Sequence, residues 1–164
     1  MCATKTSLSG ATVPYRFNGL VKECIYELKY YSNREMARFL ASQVAESIDS
    51  TQFDFISFVP TTGRNQRRRG YNQAKLLAKE ISIMSGLHFV TALARVQHVD
   101  QIGLNRNERL SAIRDNFVAI DGFSGKRVLL VDDVITTGAT LNECAKTLKQ
   151  SGVKSVWSIA VAKK

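Results

Sequence analysis

Asp132 and Asp133 stand side by side after a short apolar run, Val128 to Val131, and two residues later the chain reads Thr136-Thr137-Gly138-Ala139-Thr140. Adjacent carboxylates suit the hydroxyls of a polyol or a Mg²⁺-bound ligand, because Mg²⁺ takes one or two carboxylates and keeps water or substrate oxygens in the rest of its shell. A small, hydroxyl-rich stretch that leads into a helix offers backbone N–H and side-chain O–H donors, which is the chemistry of a phosphate cradle. Phosphate, hydroxyls and metal together describe a sugar phosphate.

The elements around these residues must bring them to one place. Val128–Val131 has the composition of a strand buried on both faces, closing at the Asp pair. Leu141, Cys144, Ala145 and Leu148 follow at helical spacing. In an α/β sheet, ligands bind beyond the carboxyl ends of strands, near helix N-termini. A second strand, Phe53 to Val59, ends at Pro60 and feeds Thr61–Gly70, a basic loop carrying Arg64, Arg67, Arg68 and Arg69. That cluster is either a solvated face or a phosphate-binding edge, and arginine suits bidentate phosphate recognition. Asn72, Gln73 and the periodic Ala74, Leu77, Ala78 and Ile81 then predict a helix ending at Gly86.

Upstream, residues 1–14 read as a loose lead-in, and Tyr15–Asn18 as a short strand or turn. Two helices follow, with Leu20, Val21, Cys24, Ile25 and Leu28 on one face of the first. Met36, Phe39, Leu40, Val44 and Ile48 occupy one face of the second. Lys29-Tyr30, at the end of the first helix, is explained equally by the helix dipole. Phe89–Val96 has strand composition. Gln97–Arg114 is polar and reads either as a functional lid or as a surface loop running into a helix near Glu108–Arg114. Asn116–Ile120 is expected as an edge strand with a turn at Asp121-Gly122, and Trp157, Ile159 and Val161 alternate in a final strand after Gly152. The alternation of strands and helices predicts a single α/β domain over 15–164, with a mostly parallel central sheet flanked by helices.

At 164 residues the chain is long enough to bury a core without staples. Its net charge of +9 points to polyanionic partners, whether nucleic acid, membrane or phosphorylated substrate. Cys2, Cys24 and Cys144 form no C-x-x-C, which excludes a zinc ribbon or disulfide framework, and Cys24 and Cys144 fall on apolar helix faces. No apolar run approaches the length that spans a bilayer, and the start of the chain has no signal-peptide core. A reducing cytoplasm fits best, with no membrane partner.

The stretch Val128–Thr140, VLLVDDVITTGAT, resembles the phosphoribosyl-pyrophosphate (PRPP) signature of type I phosphoribosyltransferases. A receiver domain also has a strand ending in paired Asp, but that strand opens the domain, and too little chain follows Asp133 here. Val59–Glu80 is similar to the matching segment of the ComF family within that superfamily, with Arg69-Gly70-Tyr71-Asn72-Gln73 fitting residue by residue. Gln101, Leu104, Arg109 and Phe117 fall on the family's spacing in its flexible-loop segment, and Lys29-Tyr30 on its early Leu-Lys-Tyr motif. The likeness covers about residues 15–164.

The resemblance implies a type I phosphoribosyltransferase-like fold. It assigns Asp132 and Asp133 to the ribose hydroxyls, directly or through Mg²⁺, as the catalytic pair. Thr136, Thr137, Gly138, Ala139 and Thr140 would hold the 5′-phosphate, and Thr61, Thr62, Arg64 and Arg69 would face the pyrophosphate. Gln101, Arg106 and Arg109 would close over the site, with Lys29, Tyr30, Asn72 and Gln73 as further motif residues. The implied reaction displaces pyrophosphate from PRPP onto an unidentified nitrogen acceptor.

The sequence departs from the family in places. The four-Cys zinc segment of many ComF proteins has no counterpart in it, so no zinc is expected. Thr62 stands where His is common, and Ala112 where Asn is expected. Thr136 stands where purine-salvage relatives place an Asp, which argues against 6-oxopurine acceptors. His88 and His98 lie outside the motifs and read as surface residues. Because ComF proteins are associated with natural competence, the alternative is a DNA-uptake accessory binding single-stranded DNA or a helicase partner, with PRPP regulatory or unused. A regulator that kept the pocket and lost catalysis is a third reading. A homodimer stays open as an assembly state.

Overall fold

Five strands paired in parallel make the sheet at whose carboxyl edge the acidic pair sits. A computed structural model describes residues 6–31, 33–96 and 117–164. In chain order the elements are β1 (Gly10–Thr12), β2 (Tyr15–Arg16), α1 (Gly19–Tyr30), α2 (Arg34–Ala45) and a 3-10 turn (Ser50–Gln52). There follow β3 (Phe55–Phe58), α3 (Gly63–Arg69), α4 (Gln73–Ser85), β4 (Leu93–Arg95), β5 (Phe117–Ala119), β6 (Arg127–Ile135), α5 (Ala139–Gln150) and β7 (Ser155–Lys163). The central sheet runs β1-β7-β6-β3, with β2 also pairing β7, and every pairing in it is parallel. The expected single α/β domain with helices on both sides of a parallel sheet is what forms.

The period-2 geometry of a strand explains why Val128–Val131 is apolar throughout. Leu129 and Val131 pack into one core with Ile25 and Leu28 of α1, Leu40 and Val44 of α2, and Leu77 and Ile81 of α4. Val128 and Leu130 face the other way, into a second core with Leu141, Cys144 and Leu148 of α5. Both predicted core cysteines, Cys24 and Cys144, are buried and free. Asp54 fixes the register where β3 and β6 begin. Its carboxylate accepts from the Arg127 backbone N–H at 2.8 Å and from the Arg127 guanidinium at 3.0 and 3.3 Å.

Several expectations need correction. Strand β6 does not stop at Val131 but continues through the Asp pair to Ile135, because β7 runs beside it as far as Lys163. The final strand forms as expected and is interior: Val156 and Ser158–Ala162 are all buried, since β6 flanks it on one side and β1 and β2 on the other. Thr61–Gly70 is no loop beyond Thr62. The Thr62 side chain caps α3 by accepting from the Asn65 N–H at 3.1 Å, and Gly70 ends it at φ +79°, with three arginines favoured in the last turn by the dipole. Phe117–Ala119 is not an edge of the main sheet; it forms an antiparallel pair with β4. Gly10–Thr12, read as lead-in, pairs with Trp157–Ile159. Phe39 points outward, and Ala37 and Ala41 take its place in the core. The segment Gln97–Arg114, with Gln101, Arg106, Arg109, His98 and Ala112, lies outside the described residues, as does Cys2.

Candidate functional site

The cleft arises because two neighbouring strands end at different heights. Pairing of β3 with β6 stops at Phe58–Val131, with one further bond from the Val59 N–H to the Val131 carbonyl at 2.9 Å. Pro60 has no N–H to continue the ladder. Strand β6 runs on with β7 alone, so its Asp132–Asp133 edge is left facing an open space of about 440 Å³. This is the carboxyl end of a parallel sheet, where α/β folds place their ligands.

The acidic pair continues the alternation of the strand. Asp133 meets α1, where Lys29 Nζ lies 3.0 Å from its Oδ2. Asp132 is directed toward α5: burial first, and then the charge of Asp132, push the Cys144 thiol pKa far up. The two carboxylates are tied to the backbone, with Asp132 Oδ1 accepting from the Asp133 N–H at 2.9 Å and Asp133 Oδ1 from the Val134 N–H at 2.8 Å. Burial, and then the charge of Asp133, hold the Asp132 pKa above the ordinary carboxylate range. Asp133 already has the Lys29 ammonium as its counter-ion, and a divalent cation or a set of hydroxyl donors is the further partner such a pair suits.

Beyond Ile135 the chain turns through Thr136 and Thr137, and Gly138 takes φ +76° to start α5. A side chain at that φ is strained, which accounts for the glycine. Gly138 brings no side chain to cap α5, and a helix start of that kind offers first-turn N–H groups to an anion. The Thr137 hydroxyl accepts from the Ala139 N–H at 3.3 Å. Thr136, Gly138, Ala139 and Thr140 border a small hollow beside Asp132, and Thr136 and Thr140 also face the main cleft.

The opposite wall is built by α3 and the start of α4. Thr61, Thr62, Arg69, Asn72 and Gln73 line it. Arg64 does not; it is exposed on α3. Arg69 donates to Gln73 Oε1 at 2.9 Å, and both Arg69 Nε and Gln73 Nε2 are buried without a protein partner. Buried donors of this kind cost free energy unless a ligand or water takes them. Asn72 has a structural duty, since it donates to the Val59 carbonyl at 3.0 Å and caps α4 by accepting from the Lys75 N–H at 3.3 Å. Tyr30 lies outside the lining, stacked at 5.7 Å on Tyr26, with the Arg68 and Arg69 guanidinium groups 5.9 and 5.6 Å from its ring centroid.

Two polar lining residues, Asn65 and Arg95, are not among the site residues expected from the sequence. Asn65 sits in the first turn of α3, whose sequence has the composition of a basic loop. Arg95 reaches the cleft from β4, held 5.0 Å over the Phe117 ring. Nothing in its sequence neighbourhood marks it; only the β4–β5 pairing brings it to the site.

Among the described residues no cluster of three or more His, Cys, Asp or Glu could hold a metal alone. Two carboxylates in one cleft with an anion-ready helix start do fit Mg²⁺ that arrives partly coordinated by a phosphorylated ligand. No helix among the described residues is long and apolar enough to cross a membrane.

A parallel sheet with an acidic pair and a Thr-Gly turn at its carboxyl edge defines a phosphoribosyltransferase-like domain, and comparison with known proteins agrees. The phosphoribosyl transferase domain family matches residues 67–164. Competence protein F of Haemophilus influenzae is 35% identical over 153 residues, covering 87% of this chain and 67% of that protein. Among solved structures, the allosteric regulatory enzyme of purine biosynthesis superposes with a TM-score of 0.60 at 21% identity, covering 84% of this chain and 30% of that one. Adenine phosphoribosyltransferase from Thermoanaerobacter pseudethanolicus does so at 0.51 and 18%, covering 82% and 83%. These structural likenesses concern the fold. The chain belongs to the phosphoribosyl transferase domain family and, within it, to the ComF proteins. It spans about two thirds of the length of its Haemophilus relative.

Proposed function

We propose that this protein binds PRPP and, with Mg²⁺, transfers the phosphoribosyl group to a nitrogen acceptor. The observation that carries the reading is the shared cleft. Asp132 and Asp133 lie in β6 where β3 no longer pairs with it, the α5 start that Gly138 leaves without a side-chain cap stands beside them, and the donors of α3 and α4 stand across from them. In this reading the turn Thr136–Thr140 anchors the 5′-phosphate, and the Asp pair accepts from the ribose hydroxyls. Thr61, Thr62, Arg69 and Gln73 face the diphosphate. An acceptor nitrogen forms a bond to the anomeric carbon while the bond from that carbon to the diphosphate oxygen breaks, and the proton that the nitrogen carried passes to water or to the departing diphosphate. The leaving diphosphate takes the bonding electrons, through an oxocarbenium-like transition state. Mg²⁺, when bound, supplies charge compensation for the diphosphate. Arg69 and Lys29 add positive charge in the same cleft. Titration of PRPP into the protein with and without Mg²⁺ tests the reading: saturable, Mg²⁺-dependent binding supports it, and no binding by folded protein overturns it.

A second reading is favoured by one surface feature. Phe17, Tyr26 and Tyr30 form a row with centroid spacings of 6.2 and 5.7 Å. Lys22 lies 5.8 Å over Tyr26, Arg68 and Arg69 lie over Tyr30, and the two tyrosines are 42% and 53% exposed. Interleaved aromatics and cations are how single-stranded nucleic acid is held without sequence preference. This supports DNA handling as an additional or alternative role, in line with the competence name of the Haemophilus relative.

A further inference from the structure

The Lys29–Asp133 pair occupies the place a cation would take. Its atoms are 3.0 Å apart, and the side chains are only 21% and 14% exposed. Helix α1 holds Lys29 there firmly. The Tyr71 hydroxyl donates to the Leu28 carbonyl, Leu28 and Ile25 are fully buried, and Arg68 and Arg69 sit on the neighbouring Tyr30. The lysine head group, by contrast, is a point charge on a flexible stem and can exchange partners. Across the same cleft stand Arg69 and the unpartnered Gln73 amide, a natural seat for an anion.

We infer that Lys29 is an exchangeable counter-ion: it neutralises Asp133 in the free protein and turns to the ligand's diphosphate when a divalent cation takes its place. The inference rests on the phosphoribosyl reading of the cleft and adds an order to it. The free protein holds divalent metal poorly, and metal and diphosphate enter together, each favouring the other. Opposite charges within about 4–6 Å set this preference, because a cation approaching Asp133 must compete with an ammonium already bound there. Once displaced, that ammonium adds to the anion's attraction.

The test is titration of Mn²⁺ alone, and of inorganic pyrophosphate in EDTA, into wild type, Lys29→Met, Lys29→Arg and Asp133→Asn. Lys29→Met should bind Mn²⁺ alone about tenfold more tightly than wild type and lose much of the coupling between metal and PRPP, while Lys29→Arg stays near wild type in metal affinity. Asp133→Asn frees the lysine and should raise metal-free pyrophosphate affinity about fivefold. This arm stands even where Lys29→Met does not fold. Unchanged Mn²⁺ affinity in folded Lys29→Met, or unchanged pyrophosphate affinity in Asp133→Asn, overturns the exchange. Failure of wild type to bind PRPP with Mg²⁺ overturns the underlying reading instead, so the two failures are told apart.

Discussion

Asn72 shows how a motif residue can serve a site without touching a ligand. Its amide joins the end of β3 to the first turn of α4, and so holds open the step between β3 and β6 that makes the cleft. Replacing it with Ala removes an N-cap and leaves the Val59 carbonyl without this partner. Asn72→Ala should therefore lower stability by about 2 kcal/mol, read from urea unfolding midpoints, with Asn72→Asp losing less because it keeps the cap. Lys29 is the reverse case. In the sequence Lys29 falls on a family motif but is explained equally by the helix dipole; the packing of α1 against the sheet is what brings it to Asp133. Arg95 likewise carries no local signature, because its position depends on a strand pairing separated by the residues between β4 and β5.

At the scale of elements, the acidic strand and its helix were legible because local pattern and tertiary role coincide. A run buried on both faces reads as a continuous apolar stretch, and α5 shows its core stripe plainly. The end of β6 was not legible, since charged residues ordinarily close a strand and only the parallel partner β7 carries this one onward. Helix α3 had its signals in Thr62 and Gly70, but its short length and dense positive charge read as loop. Strand β1 was hidden by its small residues, which the packing explains. A Cβ at Gly10 would come within 2.4–2.6 Å of the Trp157 ring. Gly10→Ala should force the indole aside and destabilise the protein by about 1–3 kcal/mol, whereas Gly10→Ala combined with Trp157→Leu should recover part of the loss in the same thermal melts. The Asp54–Arg127 clamp gives a pH signature. Its hydrogen bonds from Arg127 lower the Asp54 pKa from 3.8 to about 2. A depressed folded-state pKa contributes stability that is present above the unfolded value and is lost as pH falls through the folded one. Urea midpoints of wild type should thus drop more steeply between pH 4 and pH 2 than those of Asp54→Asn, and parallel curves would contradict the clamp.

Over the whole molecule the net charge is +9, and positive charge is concentrated along α3. The paired carboxylates Asp132 and Asp133 stand in a cleft that Lys29, Arg69 and Arg95 also line. If the Phe17–Tyr26–Tyr30 row binds single strands, oligonucleotide affinity measured by fluorescence anisotropy should fall steeply with salt. It should also fall by roughly tenfold or more in Tyr26→Ala/Tyr30→Ala; salt-sensitive binding untouched by that pair of substitutions would mean that the row is not the platform. The central claim concerns the cleft, and its most direct test is calorimetric titration of PRPP with Mg²⁺ into wild type and Asp132→Ala/Asp133→Ala. Saturable binding by wild type that is lost in the folded double variant is the predicted result. Equal binding by both would show that the acidic pair does not hold the ligand and would contradict the account.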